Sequence, residues 1–404
     1  MTLPPDREMI SGVVELRKTD FETVRQILAV SFERPGSFPG LVDEKVTRNR
    51  SLRSDSRREL TALLHDSIRW RRRIFGDISP THLEEGRFLA SLSEARNLKG
   101  NPPVGRWSSQ TMDTLARELS YPTWIIDRWV KQFGFSSAVS LALSLNEPAP
   151  VTFRVNTLKV TRSDLIHRLD EEGLQVTEGS HSPVALHLPD RKNLRSTRAF
   201  RQGLFEIQDE GSQLSVLAAG AQPGQTVIDA CAGAGGKSLA LAASMENKGS
   251  VLATDSDARP LEELSERAKR AGATIVKTAW VAPDDPMPLS AFREKADLVF
   301  VDAPCSGLGT LRRRAWMKWN LIPEIADRIP AKQLTLLRRY SQWVKTGGAL
   351  CYVTCTLHAP ENEGVVEAFL SDEKRFRMRG EARTVRPDVE GCDGFYFCTL
   401  EKSS

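Results

Sequence analysis

The sequence has few of the features that would mark a secreted, metal-bound or membrane protein. It has six cysteines in 404 residues, with no C-x-x-C pair and no adjoining histidine cluster. That argues against a disulfide framework and against a zinc knuckle. The six histidines are scattered, so no metal is expected. There is no run of about 18 apolar residues, so no membrane span is expected. Residues 1–20 contain no apolar signal core. Internal repeats and low-complexity tracts are lacking as well. The expectation is a cytoplasmic, monomeric protein whose cysteines stay reduced.

Basic residues are clustered, although the net charge is only +4. Arg69, Arg71, Arg72 and Arg73 surround Trp70. Arg191, Lys192, Arg195, Arg198 and Arg201 form a second group, and Arg312-Arg313-Arg314 a third. One such group would read as a solvated face. Three of them predict a polyanionic partner.

Helical patterning dominates residues 1–145. Phe21, Val24, Ile27 and Leu28 recur at helical spacing. Ser54-Asp55-Ser56 offers caps for a helix over Arg58–Ile74 with Leu60, Leu63, Leu64 and Ile68 on its apolar face. Gly100, Pro102, Pro103 and Gly105 mark a linker. Tyr121-Pro122-Thr123-Trp124 opens another helix, which Gly134 stops. Strand-like Val151–Val155, a helix capped at Thr161, and apolar segments at Val176, Val184–Leu188 and Leu204–Ile207 predict a small α+β unit. From residue 210 onward strands and helices alternate. Strands are expected at Thr226–Asp229, Val251–Thr254, Thr274–Lys277, Leu298–Val301 and Ala349–Thr354. Helices are expected near 212–220, 237–245, 258–271, 329–345 and 361–371. This alternation predicts a doubly wound, mostly parallel sheet. The expected division is 1–100, 101–207 and 208–404.

Two of those strands end in chemistry. Leu298–Val301 runs into Asp302-Ala303-Pro304-Cys305, where Pro304 stops the ladder. Ala349–Thr354 delivers Cys355, followed by Pro360-Glu361-Asn362-Glu363. Parallel strands joined by a helical crossover often lie side by side, and open α/β sheets bind ligands at the carboxyl ends of their strands. Cys351, inside its strand, reads as a small buried hydrophobe.

Thr226–Asp229 runs straight into Ala230-Cys231-Ala232-Gly233-Ala234-Gly235-Gly236-Lys237-Ser238. A phosphate loop would need glycine at 231, so that reading fails, and the dinucleotide fingerprint lacks its third glycine. The next strand ends at Asp255, an acid able to grip a ribose diol. A glycine loop and an acid without a phosphate-binding device suit a nucleoside cofactor such as S-adenosylmethionine.

Two cysteines and a carboxylate at one sheet edge fit a specific problem. Carbon 5 of cytosine is a poor nucleophile until a thiolate adds at carbon 6, and the thiolate must later be expelled. Asp302-Ala303-Pro304-Cys305-Ser306-Gly307 and Tyr352-Val353-Thr354-Cys355-Thr356 with Glu361-Asn362-Glu363 resemble the paired motifs of the RsmB/Nop/Sun family of RNA (cytosine-5) methyltransferases. So do Asp229-Ala230-Cys231 with Gly235-Gly236-Lys237, the stretch Phe153–Lys159, Gln208–Ser212, Ser120–Trp124 and Asp393–Tyr396.

The resemblance implies an α/β, Rossmann-like class I methyltransferase domain with a small α+β unit before it. It also implies an all-helical, NusB-like N-terminal domain. S-adenosylmethionine would be the cofactor, and RNA the substrate. Ribosomal RNA is favoured and transfer RNA stays open. Cys355 would be the nucleophile, Cys305 would help release product, and Asp302 would sit at both the base and the cofactor. Cys231, Ala232, Gly233, Ala234, Gly235, Gly236, Lys237 and Asp255 would line the cofactor. Arg69, Arg71, Arg72, Arg73, Arg154, Asn156, Lys159, Arg312 and Arg313 are expected to contact RNA. One departure concerns the adenine contact, because Thr278-Ala279-Trp280 stands where the family usually places an acid, with Asp284 and Asp285 only later. The rivals are a DNA-type cytosine methyltransferase, with Cys305 as nucleophile, and a non-catalytic RNA-binding assembly factor.

Overall fold

The computed structural model describes residues 7–10, 14–99, 111–189, 192–282 and 292–403. The chain forms two compact units. One comprises residues 1–148 and 310–325, the other 149–309 and 326–404. The expected linker around residue 100 lies outside the described residues. The expected boundary at 207–208 falls inside the second unit, because Glu206 is ion-paired to Arg267 and Arg270, and Arg154 donates to Gln208.

In the first unit the backbones of β1 (Arg7–Ile10) and β2 (Val14–Arg17) pair antiparallel, where the pattern reads only as helix. The helices Lys18–Glu33, Ser54–Arg69 and Glu85–Asn97 follow. Their i, i+3, i+4 apolar positions form one core of Val24, Ile27, Leu28, Leu60, Leu64, Ile68, Phe88 and Leu92. The second helix is capped differently from expectation. Ser54 is already its first residue, and Arg53 precedes it without a side-chain cap. It also stops early. Trp70, at φ −100° and ψ 17°, breaks it, and the short helix Arg71–Phe75 follows. Ala315 joins the same core, with Trp316 and Trp319 packed against it, so residues 310–325 belong to this unit.

The second unit holds two sheets. The smaller has the order β4-β5-β3-β6, all antiparallel, from β3 (Val151–Val155), β4 (Thr177–Glu178), β5 (Ala185–Leu188) and β6 (Phe205–Ile207). Its helix, Arg162–Glu171, is capped by Thr161, which accepts the Asp164 amide. The larger sheet contains β7 (Thr226–Asp229), β8 (Ser250–Asp255), β9 (Val276–Trp280), β10 (Ala296–Asp302) and β11 (Val344–Thr354). It is completed by β12 (Phe376–Met378), β13 (Arg383–Val385) and β14 (Phe395–Lys402). Its order is β12-β14-β11-β10-β7-β8-β9, with β13 on β14. β7 to β11 run parallel, and β14 is antiparallel beside β11.

The chain begins this sheet at β7, moves outward to β9, then returns across β7 to β10. That reversal opens a crevice at the carboxyl ends of β7, β8 and β10. β9 lies two to three residues later than expected, because Gly272 at φ +72° ends the preceding helix and Ala273–Ile275 complete the turn. The helix expected to reach 345 ends at Ser341, and β11 starts at Val344. β12–β14 were not anticipated. No helix among the described residues is long and apolar enough to cross a membrane.

Candidate active site

From the end of β7 the chain enters a tight loop before the helix Gly236–Ser244. Gly233 (φ +51°) and Gly235 (φ +82°) adopt left-handed backbone. At Gly235 a Cβ would also fall 1.9 Å from Leu264 Cδ1, so a side chain is excluded twice over. The next strand pins the loop. The Gly233 amide donates to Asp255 Oδ2 (2.8 Å), and the Ala232 amide to the Thr254 carbonyl (2.9 Å). Asp255 Oδ1 accepts the Asp257 amide (2.9 Å).

Asp229 is fully buried. The Ser238 hydroxyl donates to its Oδ2 (2.6 Å), while Oδ1 has no partner. Burial pushes its carboxyl up to about 7 against that hydrogen bond, helped by the charges of Asp302 and Asp255. Burial also holds the Cys231 thiol well above the ordinary range, and Asp302, Asp229 and Asp255 add to it. Cys231 is therefore a neutral thiol. Where the resemblance would place an acid after β9, this strand ends in a tryptophan. Trp280 ends β9 in register with Asp255, is 53% exposed, and donates its indole N–H to the Ser256 carbonyl (2.9 Å). Asp284 and Asp285 lie outside the described residues.

β10 and β11 are neighbours, with Asp302 opposite Val353. Their carboxyl ends bring Cys305 Sγ within 3.3 Å of Cys355 Sγ. Beside them Lys237 Nζ donates to Asp302 Oδ2 (2.5 Å) and lies 5.4 Å from the Phe395 ring centroid. Burial works against the Lys237 charge, but Asp302 outweighs it, helped by Cys355, and the ammonium is held above its usual range. Cys305 is pushed well up by its hydrogen bond to Cys355, then by burial and by the charges of Cys355 and Glu361. Cys305 therefore keeps its proton.

Behind the sulfurs is a buried polar hub that sequence reasoning quoted only as part of a motif. Glu361 accepts the Ser306 amide (2.8 Å), the Ser306 hydroxyl (2.5 Å) and the Gln333 amide nitrogen (3.2 Å). Its carboxylate also lies 3.1 Å from His358 Nδ1. Thr354 donates to Asn362 Oδ1 (2.6 Å), and Asn362 Nδ2 donates to the Thr356 carbonyl (3.1 Å). Gly309 and Gly394 close the rear. A Cβ at Gly309 would sit 2.1 Å from the Gly394 carbonyl oxygen.

Most of the arginines expected at RNA are instead engaged within their own units. Arg69 is 4% exposed and donates to the carbonyls of Asn146, Glu147 and Arg312. Its expected phosphate contact is corrected to a structural role. Arg71 stacks 3.8 Å from the Phe32 centroid and donates to the Phe32 carbonyl. Arg72 donates to Tyr121, Thr123 and Asp113, and Arg73 is paired with Glu118 and Glu94. Arg154 and Asn156 are buried. Asn156 donates to the Gly203 and Ala271 carbonyls, and Lys159 to the Gln202 and Arg270 carbonyls. Asn156 and Lys159 thereby tie the turn after β3 to the end of the helix Ala258–Ala271. Arg312 is half-buried, whereas Arg313 is exposed, as are Lys192, Arg195, Arg198 and Arg201. Arg191 lies outside the described residues.

A glycine loop at the sheet's reversal point, an acid ending the second strand and a carboxylate–lysine pair beside two thiols define a class I S-adenosylmethionine-dependent methyltransferase. A family model for 16S rRNA methyltransferase RsmB/F matches residues 216–401, and one for the RsmF/B-like ferredoxin-like domain matches residues 121–195. The probable ribosomal RNA small subunit methyltransferase B of Bacillus subtilis is 34% identical over 305 residues, covering 71% of this chain and 68% of that protein. The human 28S rRNA (cytosine(4447)-C(5))-methyltransferase is 29% identical, covering 74% of this chain and 40% of its own. Among solved structures, a methyltransferase homologue from Pyrococcus horikoshii superposes with a TM-score of 0.64 at 27% identity, over 73% of this chain and 99% of that one. The crystal structure of PH0851 shares the fold over 96% of this chain and 100% of its own, with a TM-score of 0.79 at 23% identity. The chain belongs to the RsmB/F family of methyltransferases.

Proposed function

We propose that this enzyme methylates carbon 5 of a cytosine in ribosomal RNA through a covalent bond between Cys355 and carbon 6, and that Cys305 serves release. The observation that carries this reading is the 3.3 Å approach of the two sulfurs beside the Lys237–Asp302 pair. The relatives named as ribosomal RNA methyltransferases, one of them a cytosine-C(5) enzyme, support the substrate class.

S-adenosylmethionine supplies an electrophilic methyl group. The residues present fit it, since the orphaned Asp229 Oδ1 offers a buried acceptor and the Gly233–Gly236 loop keeps side chains away. That loop, Asp229, Asp255 and Trp280 would hold it. The chain's own work begins with Cys355, whose sulfur adds to carbon 6 and makes carbon 5 nucleophilic. The Lys237 ammonium favours a negative sulfur at Cys355. Asp302 hydrogen-bonds the base edge, and Lys237 fixes its orientation. After methylation solvent water takes the carbon 5 proton, the C5–H pair forms the C5=C6 double bond, and the C6–S bond breaks with its electron pair on sulfur. The Cys305 thiol, hydrogen-bonded to that sulfur, stabilises the departing thiolate.

The helices before residue 100 act, in this reading, as a NusB-like RNA-binding module. Half-buried Arg312, exposed Arg313 and the exposed ridge Lys192, Arg195, Arg198 and Arg201 supply phosphate contacts. The test is methyl transfer to ribosomal RNA transcripts, with bisulfite mapping of the product. Cys355→Ala should abolish transfer while the cofactor still binds by calorimetry. Near wild-type turnover in that variant would reject the assignment.

A further inference from the structure

Glu361 is fully buried. It joins four parts of the chain. Its carboxylate takes the amide and hydroxyl of Ser306, the residue after Cys305. It faces His358 Nδ1, three residues after Cys355. It takes Gln333 from the helix Ile329–Ser341, and Gln333 in turn donates to the Pro304 carbonyl (3.0 Å), the residue before Cys305. Its own carbonyl accepts the Tyr352 hydroxyl from β11 (2.7 Å). The Ser306 and Thr356 hydroxyls lie 2.7 Å apart, adding a direct link between the two loops. The carboxylate is therefore the common acceptor that ties the loop after β10 to the loop after β11.

We propose that Glu361 is the positioning residue of the thiol pair. It clamps the loop carrying Cys305 to the loop carrying Cys355 and so sets the sulfur–sulfur distance on which release depends. The inference rests on the two-thiol reading above. The hydrogen bonds of this buried carboxylate lead to residues flanking Cys305 and Cys355. Electrostatics point the same way. The groups around Cys305 are Cys355, Glu361, His358 and Tyr352, with the Lys237–Asp302 pair beyond Cys355. Glu361 is the buried carboxylate whose charge acts on Cys305.

Alkylation of Cys305 by iodoacetamide, followed by peptide mass spectrometry, reads this without RNA or cofactor. Glu361→Gln removes the charge and should lower the Cys305 pKa, raising its alkylation rate near neutral pH by about tenfold. Glu361→Asp keeps the charge on a shorter arm and should restore most of the wild-type rate. With RNA present, Glu361→Gln should turn over at least about tenfold more slowly and accumulate protein–RNA adduct. An unchanged Cys305 alkylation profile in folded Glu361→Gln would overturn the inference, even with activity lost. Should that variant fail to fold, Glu361→Asp decides alone: wild-type turnover from the shortened, displaced carboxylate would overturn it. If Cys355→Ala retains activity while Glu361→Gln still changes Cys305 alkylation, the two-thiol mechanism falls but the link from Glu361 to Cys305 stands.

Discussion

Asp229 makes a quantitative prediction, because a fully buried carboxyl with one hydrogen bond leaves a signature in stability against pH. Its ordinary value is 3.8, and burial carries it to about 7. Between those values the folded protein holds a proton that the unfolded chain has released. Stability from this site is therefore highest at low pH, falls as pH rises through the window, and levels off above about 7. At 1.36 kcal/mol per pH unit the whole displacement is equivalent to about 4 kcal/mol. Roughly 1.5 kcal/mol of that is already lost by about pH 5, and about 2.5 kcal/mol more is lost by about pH 8.

Asp229→Asn removes the titration while keeping an oxygen for the Ser238 hydroxyl. Urea denaturation of both proteins at about pH 5 and about pH 8 isolates the effect, since titrating groups away from Asp229 cancel in the difference. The variant should gain about 2.5 kcal/mol relative to wild type between the two conditions. Its affinity for S-adenosylmethionine should fall, because the buried acceptor loses its charge. A stability difference identical at the two pH values would refute the argument, and with it the claim that burial keeps a proton on Asp229.

Three further outcomes follow from the same geometry. Cys305→Ala should accumulate a covalent protein–RNA complex that survives denaturing electrophoresis, and the Cys305→Ala/Cys355→Ala double variant should not; normal turnover with no adduct would make Cys305 structural. Asp255→Ala removes the acceptor of the Gly233 amide and should weaken S-adenosylmethionine binding by about tenfold or more, read by calorimetry. Arg69→Ala leaves the Asn146, Glu147 and Arg312 carbonyls short of a donor and should cost about 2–4 kcal/mol in urea unfolding; a stability within about 0.5 kcal/mol of wild type would return Arg69 to the class of surface charges.

The candidate site was legible because its residues sit at strand ends. Asp229, Asp255 and Asp302 each end a β-strand and Cys355 directly follows one, and a parallel sheet places such positions at one edge. Arg154, Asn156 and Lys159 were harder to read. A charged or amide side chain in a strand or turn looks the same whether it meets phosphate or a buried carbonyl, and only the fold shows that Ala271 and Arg270 lie across from them. Arg69 was misplaced for the same reason, since its partners are 77, 78 and 243 residues away. Gln333 carried no signal at all, being one polar residue on an otherwise ordinary helix. β14 went unread because sequence order gives no hint that the last strand inserts antiparallel beside β11.

The distribution of charge favours one cysteine as nucleophile. Cys231, Cys305 and Cys355 all follow strand ends in one sheet, and composition alone gives no reason to prefer any of them. Cys231 lies among Asp229, Asp255 and Asp302, which all oppose a thiolate. Cys305 has the Glu361 carboxylate behind it and a sulfur in front, which also oppose one. Cys355 lies within the field of the Lys237 ammonium, whose positive charge a thiolate would stabilise. A nucleophile needs the anion, and a group that assists departure needs the proton. Assigning attack to Cys305, as a DNA-type reading would, asks the thiol beside the buried carboxylate to ionise and leaves the one near the lysine idle. Attack by Cys355 and assistance by Cys305 place each proton where the neighbouring charges already favour it.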